Sequence, residues 1–160
     1  MKTNTHSKLG FTLIELLLVI AVISALAVTV FVALNPAQRL KDGRDARRQT
    51  DTETILSAIH TYIVDNKGAL PAGLSAGMAE KQLGTGVTGC AIATGGCTVA
   101  GATDCVSLAT PLATYLKSIP LDPNGGTAVL TKYSVVVDAN GMITVRACGT
   151  EGANNISTSR

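Results

Sequence analysis

Residues 11–34 form a run of 24 residues with a single charge, Glu15, and three hydroxyl side chains, Thr12, Ser24 and Thr29. As a helix this run is about 36 Å long at ~1.5 Å per residue, which exceeds the roughly 30 Å hydrocarbon core of a bilayer. Whatever else the chain folds into, this element must be met by lipid or by other helices. The ten residues before it carry Lys2, His6 and Lys8 and no acid. The positive-inside rule leaves such a start in the cytoplasm and exports the remainder of the chain, including all four cysteines.

The run also explains the composition. Hydrophobic residues make up 46% of the 160 residues, yet aromatics are only 3% and Trp is absent, so the apolar content is aliphatic and concentrated at one end. The remainder is enough for one ordinary domain. Lys plus Arg number 13 against 11 Asp plus Glu, a formal charge of +2. No global field recruits nucleic acid, and no specific nucleic acid is indicated as a partner.

A removable secretory signal peptide has the same general form, a basic start and an apolar run. Here the run is about twice the usual length of a removable core and leads into Asn35-Pro36-Ala37-Gln38 with no small-residue cleavage box. A plain single-pass anchor leaves unexplained a carboxylate near the start of the apolar run, where an ionisable group is a functional feature by default.

The junction Lys8-Leu9-Gly10-Phe11-Thr12-Leu13-Ile14-Glu15-Leu16 resembles the class III leader of type IV pilins and pseudopilins. The resemblance implies that a prepilin peptidase cuts between Gly10 and Phe11 and methylates the new amino group of Phe11. It further implies that Glu15 meets the Phe11 amine of an adjacent subunit during assembly. Removing Lys2 and Lys8 leaves 11 basic residues against 11 acidic ones. An ammonium at Phe11 and a carboxylate at Glu15 each cost several kcal/mol beside hydrocarbon, and pairing removes much of that cost.

The domain reading is a leader (1–10), a transmembrane or filament-core helix (11–34), an amphipathic half of that helix (35–66) and a globular head (67–160). The fold class is α+β, pilin-like, with a long N-terminal helix over about 11–65 packed on a small antiparallel sheet. Asn35-Pro36 serves either as N-cap and first turn of a new helical segment or as a kink in a continuous one. Pro36 and Gly43 bracket a segment expected to melt in a filament. Arg39, Lys41, Arg44, Arg47 and Arg48 interleave with Asp42, Asp45, Asp51 and Glu53, which reads as a solvated or subunit-facing surface of alternating charge. Ile55, Leu56, Ile59, Tyr62 and Ile63 make an apolar stripe suited to lying on a sheet. His60 has no partner at metal-ligand spacing and reads as an edge or surface histidine.

In the head, residues 68–106 are rich in Gly, Ala, Thr and Ser and read as loops, with a short helix over 76–83. Leu108, Leu112, Tyr115, Leu116 and Ile119 suggest another short helix, stopped by Pro120. A strand is expected over 127–130. The clearest element is a hairpin: Tyr133-Ser-Val-Val-Val137, then Asp138-Ala-Asn-Gly141, then Met142-Ile-Thr-Val-Arg-Ala147. Cys90, Cys97, Cys105 and Cys148 permit three connectivities, and export favours oxidation. The expected pairing is Cys90 with Cys97 and Cys105 with Cys148. Asp122-Pro-Asn-Gly-Gly126 resembles a loop of major pseudopilins that often binds calcium, with Asn124 where those proteins have an aromatic residue. Asp122 and Asn124 offer two oxygens, short of the six to eight that Ca²⁺ takes, and a turn is the preferred reading. Asn155-Ile-Ser157 forms a glycosylation sequon.

The expected function is a structural, non-enzymatic subunit without cofactors. It starts as a single-pass precursor in the cytoplasmic membrane and ends in an extracellular pilus for adhesion, motility or DNA uptake. Its partners by resemblance are copies of itself, the prepilin peptidase, and an assembly platform with its ATPase. The alternatives are a pseudopilin of type II secretion or competence, and an unassembled anchored binding protein.

Overall fold

The computed structural model describes residues 10–152 and 155–160. The expected leader, apart from Gly10, lies outside the described residues. Two compact units divide the chain, Met1–Arg39 and Leu40–Arg160.

In the first unit, α1 spans Leu13–Leu34. Thr12 caps it with extended backbone and a side chain that accepts from the Glu15 amide, satisfying one of the donors that a helix start leaves open. Ser24 and Thr29 return their hydroxyls to the carbonyls of Ile20 and Leu26 at 2.7 and 2.8 Å. No residue of α1 is buried. The helix ends at Asn35, which adopts the left-handed conformation with φ 40°. Its backbone oxygen accepts from the Gln38 and Arg39 amides, and α2 (Pro36–Asp65) begins directly after it. Of the two readings of Asn35-Pro36, the structure takes the cap and first turn, with proline where its missing amide is least costly. From Pro36 the helix continues through Gly43.

In the second unit, the part of α2 from Leu40 onward lies on a five-stranded sheet. The strands are β1 (Met78–Leu83), β2 (Cys105–Val106), β3 (Tyr133–Val137), β4 (Ile143–Ala147) and β5 (Ile156–Ser159), in the order β2-β1-β3-β4-β5. Every neighbour pair is antiparallel except β1 with β2, so the sheet is mixed where an antiparallel one was expected. The α+β architecture is the one read from the sequence. Ile55, Leu56 and Ile59 of the predicted stripe are buried in one core with Leu83, Val135 and Val145. The hairpin has its expected register, Tyr133 opposite Ala147 and Val137 opposite Ile143. Gly141 takes φ 84° in its turn, a conformation open to glycine.

Three expected elements are corrected. Residues 78–83 form β1 and not a helix. Pairing with β3, Lys81 opposite Val135 and Gln82 opposite Ser134, overrides the helix preference of Met, Ala, Glu, Lys, Gln and Leu. Residues 127–130 are no strand but a tight turn, closed by the Thr127 amide on the Leu130 carbonyl and the Leu130 amide on the Thr127 hydroxyl. Residues 108–119 form successive turns, with the Leu112 amide on the Leu108 carbonyl and the Leu116 amide on the Leu112 carbonyl. Their apolar stripe is still used, since Leu108 and Leu112 are buried.

Candidate functional site

The predicted processing and assembly residues sit at the start of α1. Gly10, Phe11 and Thr12 precede the helix, and all three are exposed, Phe11 by 84%. A Cβ built on Gly10 meets nothing within 4 Å. Glu15 lies in the first helical turn, the position where a helix favours a negative charge. Thr12 and Glu15 have capping-box spacing, but only the threonine half is formed. The Glu15 carboxylate has no hydrogen bond or ion pair among the described residues. Below it, α1 presents aliphatic side chains on every side, including Leu16, Val19, Ile23 and Leu26. It is long and apolar enough to cross a membrane.

A second constellation, in the unit Leu40–Arg160, which is the head from here on, was not predicted as a site. Arg48 is fully buried and lies between three acids. Its Nε and Nη2 donate to the two Asp122 oxygens at 2.6 and 2.9 Å, and its Nη1 donates to Asp45 at 2.7 Å and Glu151 at 3.2 Å. Arg44 adds a two-pronged contact with Glu151, Nη2 donating to Oε1 at 2.9 Å. The Glu151 and Gly152 amides donate to Asp45. One helix is thus fastened to the two loops that hold Asp122 and Glu151.

The charges shift accordingly. Arg44 first, then Arg48, pulls the Glu151 carboxyl down to about 2 against the opposing effect of burial. Burial pushes Asp45 upward, but the Glu151 amide, the Arg48 guanidinium and the Gly152 amide together hold it below the usual carboxylate value. Hydrogen bonds to Asp122 lead the effects that raise Arg48 above its ordinary value.

The alternating charges of α2 are therefore not all surface charges: Arg48 and its partners are structural. Asp122, the calcium candidate, has both oxygens on Arg48 and also accepts from the Asn124 amide at 2.7 Å. The Asn124 side chain donates to Glu151 at 3.3 Å. Gly149 is required here, because a Cβ on it would stand 2.5 Å from an Asp122 oxygen. A second buried acid, Glu80 on β1, accepts from Ser134, from the Thr98 amide and hydroxyl, and from Arg146. Burial raises its pKa, and these donors outweigh burial to leave it lowered. His60 is half-buried on α2, and its Nε2 is buried without a partner among the described residues. The local sequence carries no signal that selects Arg48 or Glu80: Asp45 is the only near partner of Arg48, its others lie 74 and 103 positions away, and those of Glu80 lie 18 to 66 positions away.

All four cysteines are oxidised, but the expected pairing is corrected: Cys90 joins Cys105 and Cys97 joins Cys148. The bridge between Ile92 and Val99 folds residues 90–99 back as a loop. That fold places Cys97 at the end of β4, where Thr94 also donates to the Cys148 carbonyl.

No curated protein and no solved structure matches the chain. Residues 5–31 match the family model described as the prokaryotic N-terminal methylation motif. The junction around Gly10 and Phe11 and most of α1 therefore carry the class III prepilin leader of type IV pilins and pseudopilins.

Proposed function

We propose that the protein is a structural subunit of a type IV pilus, cut between Gly10 and Phe11, N-methylated at Phe11 and polymerised through α1 into a surface filament. The observation that carries this reading is Glu15. It is the only ionisable side chain in α1, it has no partner among the described residues, and it lies one turn from the amine that cleavage would create. Within one subunit that amine joins a helix start to its own first turn. Between subunits it selects a staggered neighbour, while aliphatic packing along α1 replaces the lipid left behind. The membrane holds the precursor, a peptidase, platform and ATPase process and extrude it, and the heads form the filament surface. In the filament, the segment around Pro36 and Gly43 is the part proposed to lose its helix under load, since glycine costs about 1 kcal/mol relative to alanine.

A pseudopilin is the second reading, favoured by the partial likeness of the Asp122 loop. The occupation of Asp122 by the Arg48 guanidinium in place of a metal ion weighs toward a pilus.

Mass spectrometry of the N-terminus from cells tests the processing. Methyl-Phe11 is expected, and an unmodified Met1 on the abundant surface form defeats the reading in favour of an unassembled anchor. Glu15→Val is expected to yield cleaved, membrane-resident protein with few filaments by electron microscopy. Filaments of normal number and length from that variant remove the role assigned to Glu15. Loss of secretion without surface filaments at native expression marks a pseudopilin.

A further inference from the structure

The head carries a pocket whose lining includes none of the proposed processing and assembly residues, Gly10, Phe11 and Glu15. It has a volume of about 270 Å³ and lies where the end of β1 at Gly84 and Thr85 meets the turns at 107–109 and 117–121. Its apolar surface comes from Leu108, Ile119 and Leu121. Leu121 is 38% exposed, an aliphatic side chain that the fold leaves open at the mouth.

The polar groups of the pocket divide into two sets. Thr131 and Thr85 spend their hydroxyls on the carbonyls of Leu83 and Ala128. Ser107, Ser118 and Lys117 line the same pocket, and their side chains have no hydrogen bond or ion pair among the described residues. No acid is among the described residues that line the pocket. An apolar wall with a few uncommitted polar groups is the usual composition of a small-molecule site, and this one falls just below the roughly 300–1,000 Å³ such sites occupy. The size restricts the occupant to a short chain, and an exposed lysine with two exposed serines and no acid among the described lining residues favours an anionic head group.

We propose that this pocket binds a short aliphatic carboxylate, its chain against Leu108, Ile119 and Leu121 and its carboxylate between the Lys117 ammonium and the hydroxyls of Ser107 and Ser118. The wall opposite depends on Gly84. A Cβ there would stand 2.1 Å from the Val129 carbonyl, so the close passage of residues 128–130 past β1 exists because that position is glycine.

The test is a methyl NMR titration of the full chain in lipid nanodiscs with hexanoate, hexanol and hexylamine. It requires neither cleavage nor assembly, so its outcome is independent of the pilus reading. Hexanoate is expected to give saturable shifts of Leu108, Ile119 and Leu121. Hexanol should bind on the order of fivefold more weakly, the usual size of one partly exposed charged contact, and hexylamine should not saturate. Lys117→Gln should bring hexanoate down to the hexanol level. Ala109→Leu, a pocket-filling change at an exposed position, should abolish the shifts while the Val135 methyls stay in place. Absence of saturation, equal affinity for hexanoate and hexanol, or shifts confined to α1 methyls as in partition into lipid would overturn the proposal. The exposed Lys117→Gln change keeps the test decisive if Ala109→Leu moves the Val135 signals.

Discussion

At the scale of residues, Arg48 carries the most consequence. Truncating one partner of a buried ion pair leaves the other charge unmatched, which costs about 3–5 kcal/mol. Arg48→Met is therefore expected to destabilise the head by that order in urea unfolding, and Asp122→Asn by a comparable amount. A double variant losing clearly less than the sum of the two would measure their coupling. Acid acts on the same cluster. Glu151 titrates at about 2 in the folded head and near 4.3, the ordinary value, when unfolded. A depressed acid contributes stability that is complete above the unfolded value and lost as pH falls through the folded one. The melting temperature should stay level from about pH 7 to pH 5 and fall between about pH 4.5 and pH 2, and Glu151→Gln should flatten part of that fall. A wild-type profile without the fall would exclude this linkage. None of this was legible in the sequence, where Arg48 is one of five cations in a nearly neutral run. Burial selected it, and burial depends on Asp122 and Glu151, which lie 74 and 103 positions further on. The junction at Gly10, Phe11 and Glu15 was legible because it is contained in one short stretch of chain.

Among elements, those found from sequence carry their own local instructions. The β3–β4 hairpin has alternation and an Asn-Gly turn, and α1 has an unbroken apolar run. β1 has neither. Its Met-Ala-Glu-Lys-Gln-Leu would suit a helix, and only pairing with β3 and β2 makes it a strand. β5, four residues of Ile, Ser and Thr, is too short and polar to show a pattern before β4 is there to pair with it. The disulfides obey the same logic: the sequence leaves three connectivities open, and only the folded-back loop at 90–99 sends Cys97 to the end of β4. Chain-entropy reasoning ranks the two bridges. Closing the 51-residue separation of Cys97 and Cys148 contributes about 4 kcal/mol and the 15-residue separation of Cys90 and Cys105 about 3. Replacing Cys97 and Cys148 together by serine should lower urea stability by about 1 kcal/mol more than replacing Cys90 and Cys105. The reverse order would show that the bridges act mainly on the folded state.

For the whole molecule, the two units divide the physical work. The head has its own core of Ile59, Val135, Val145 and their neighbours, so a chain lacking residues 1–39 is expected to give a cooperative thermal melt with both disulfides formed. A non-cooperative melt would mean that the head needs α1 to fold. The broad order of the molecule, a long helical start and then a small sheet, was legible because hydrophobic patterning survives without knowledge of contacts. The cluster that ties helix to loops was not. The Arg48 cluster has one consequence at this scale. A dissolved counter-ion stabilises a fold only as far as its concentration exceeds its dissociation constant, whereas the guanidinium of Arg48 is delivered by the chain and has no dissociation constant to satisfy. On the proposed reading the head lies outside the cell, where it meets water of any hardness, dilution or ionic content. With its balancing cation built in, the joint between helix and loops does not have to draw it from the medium.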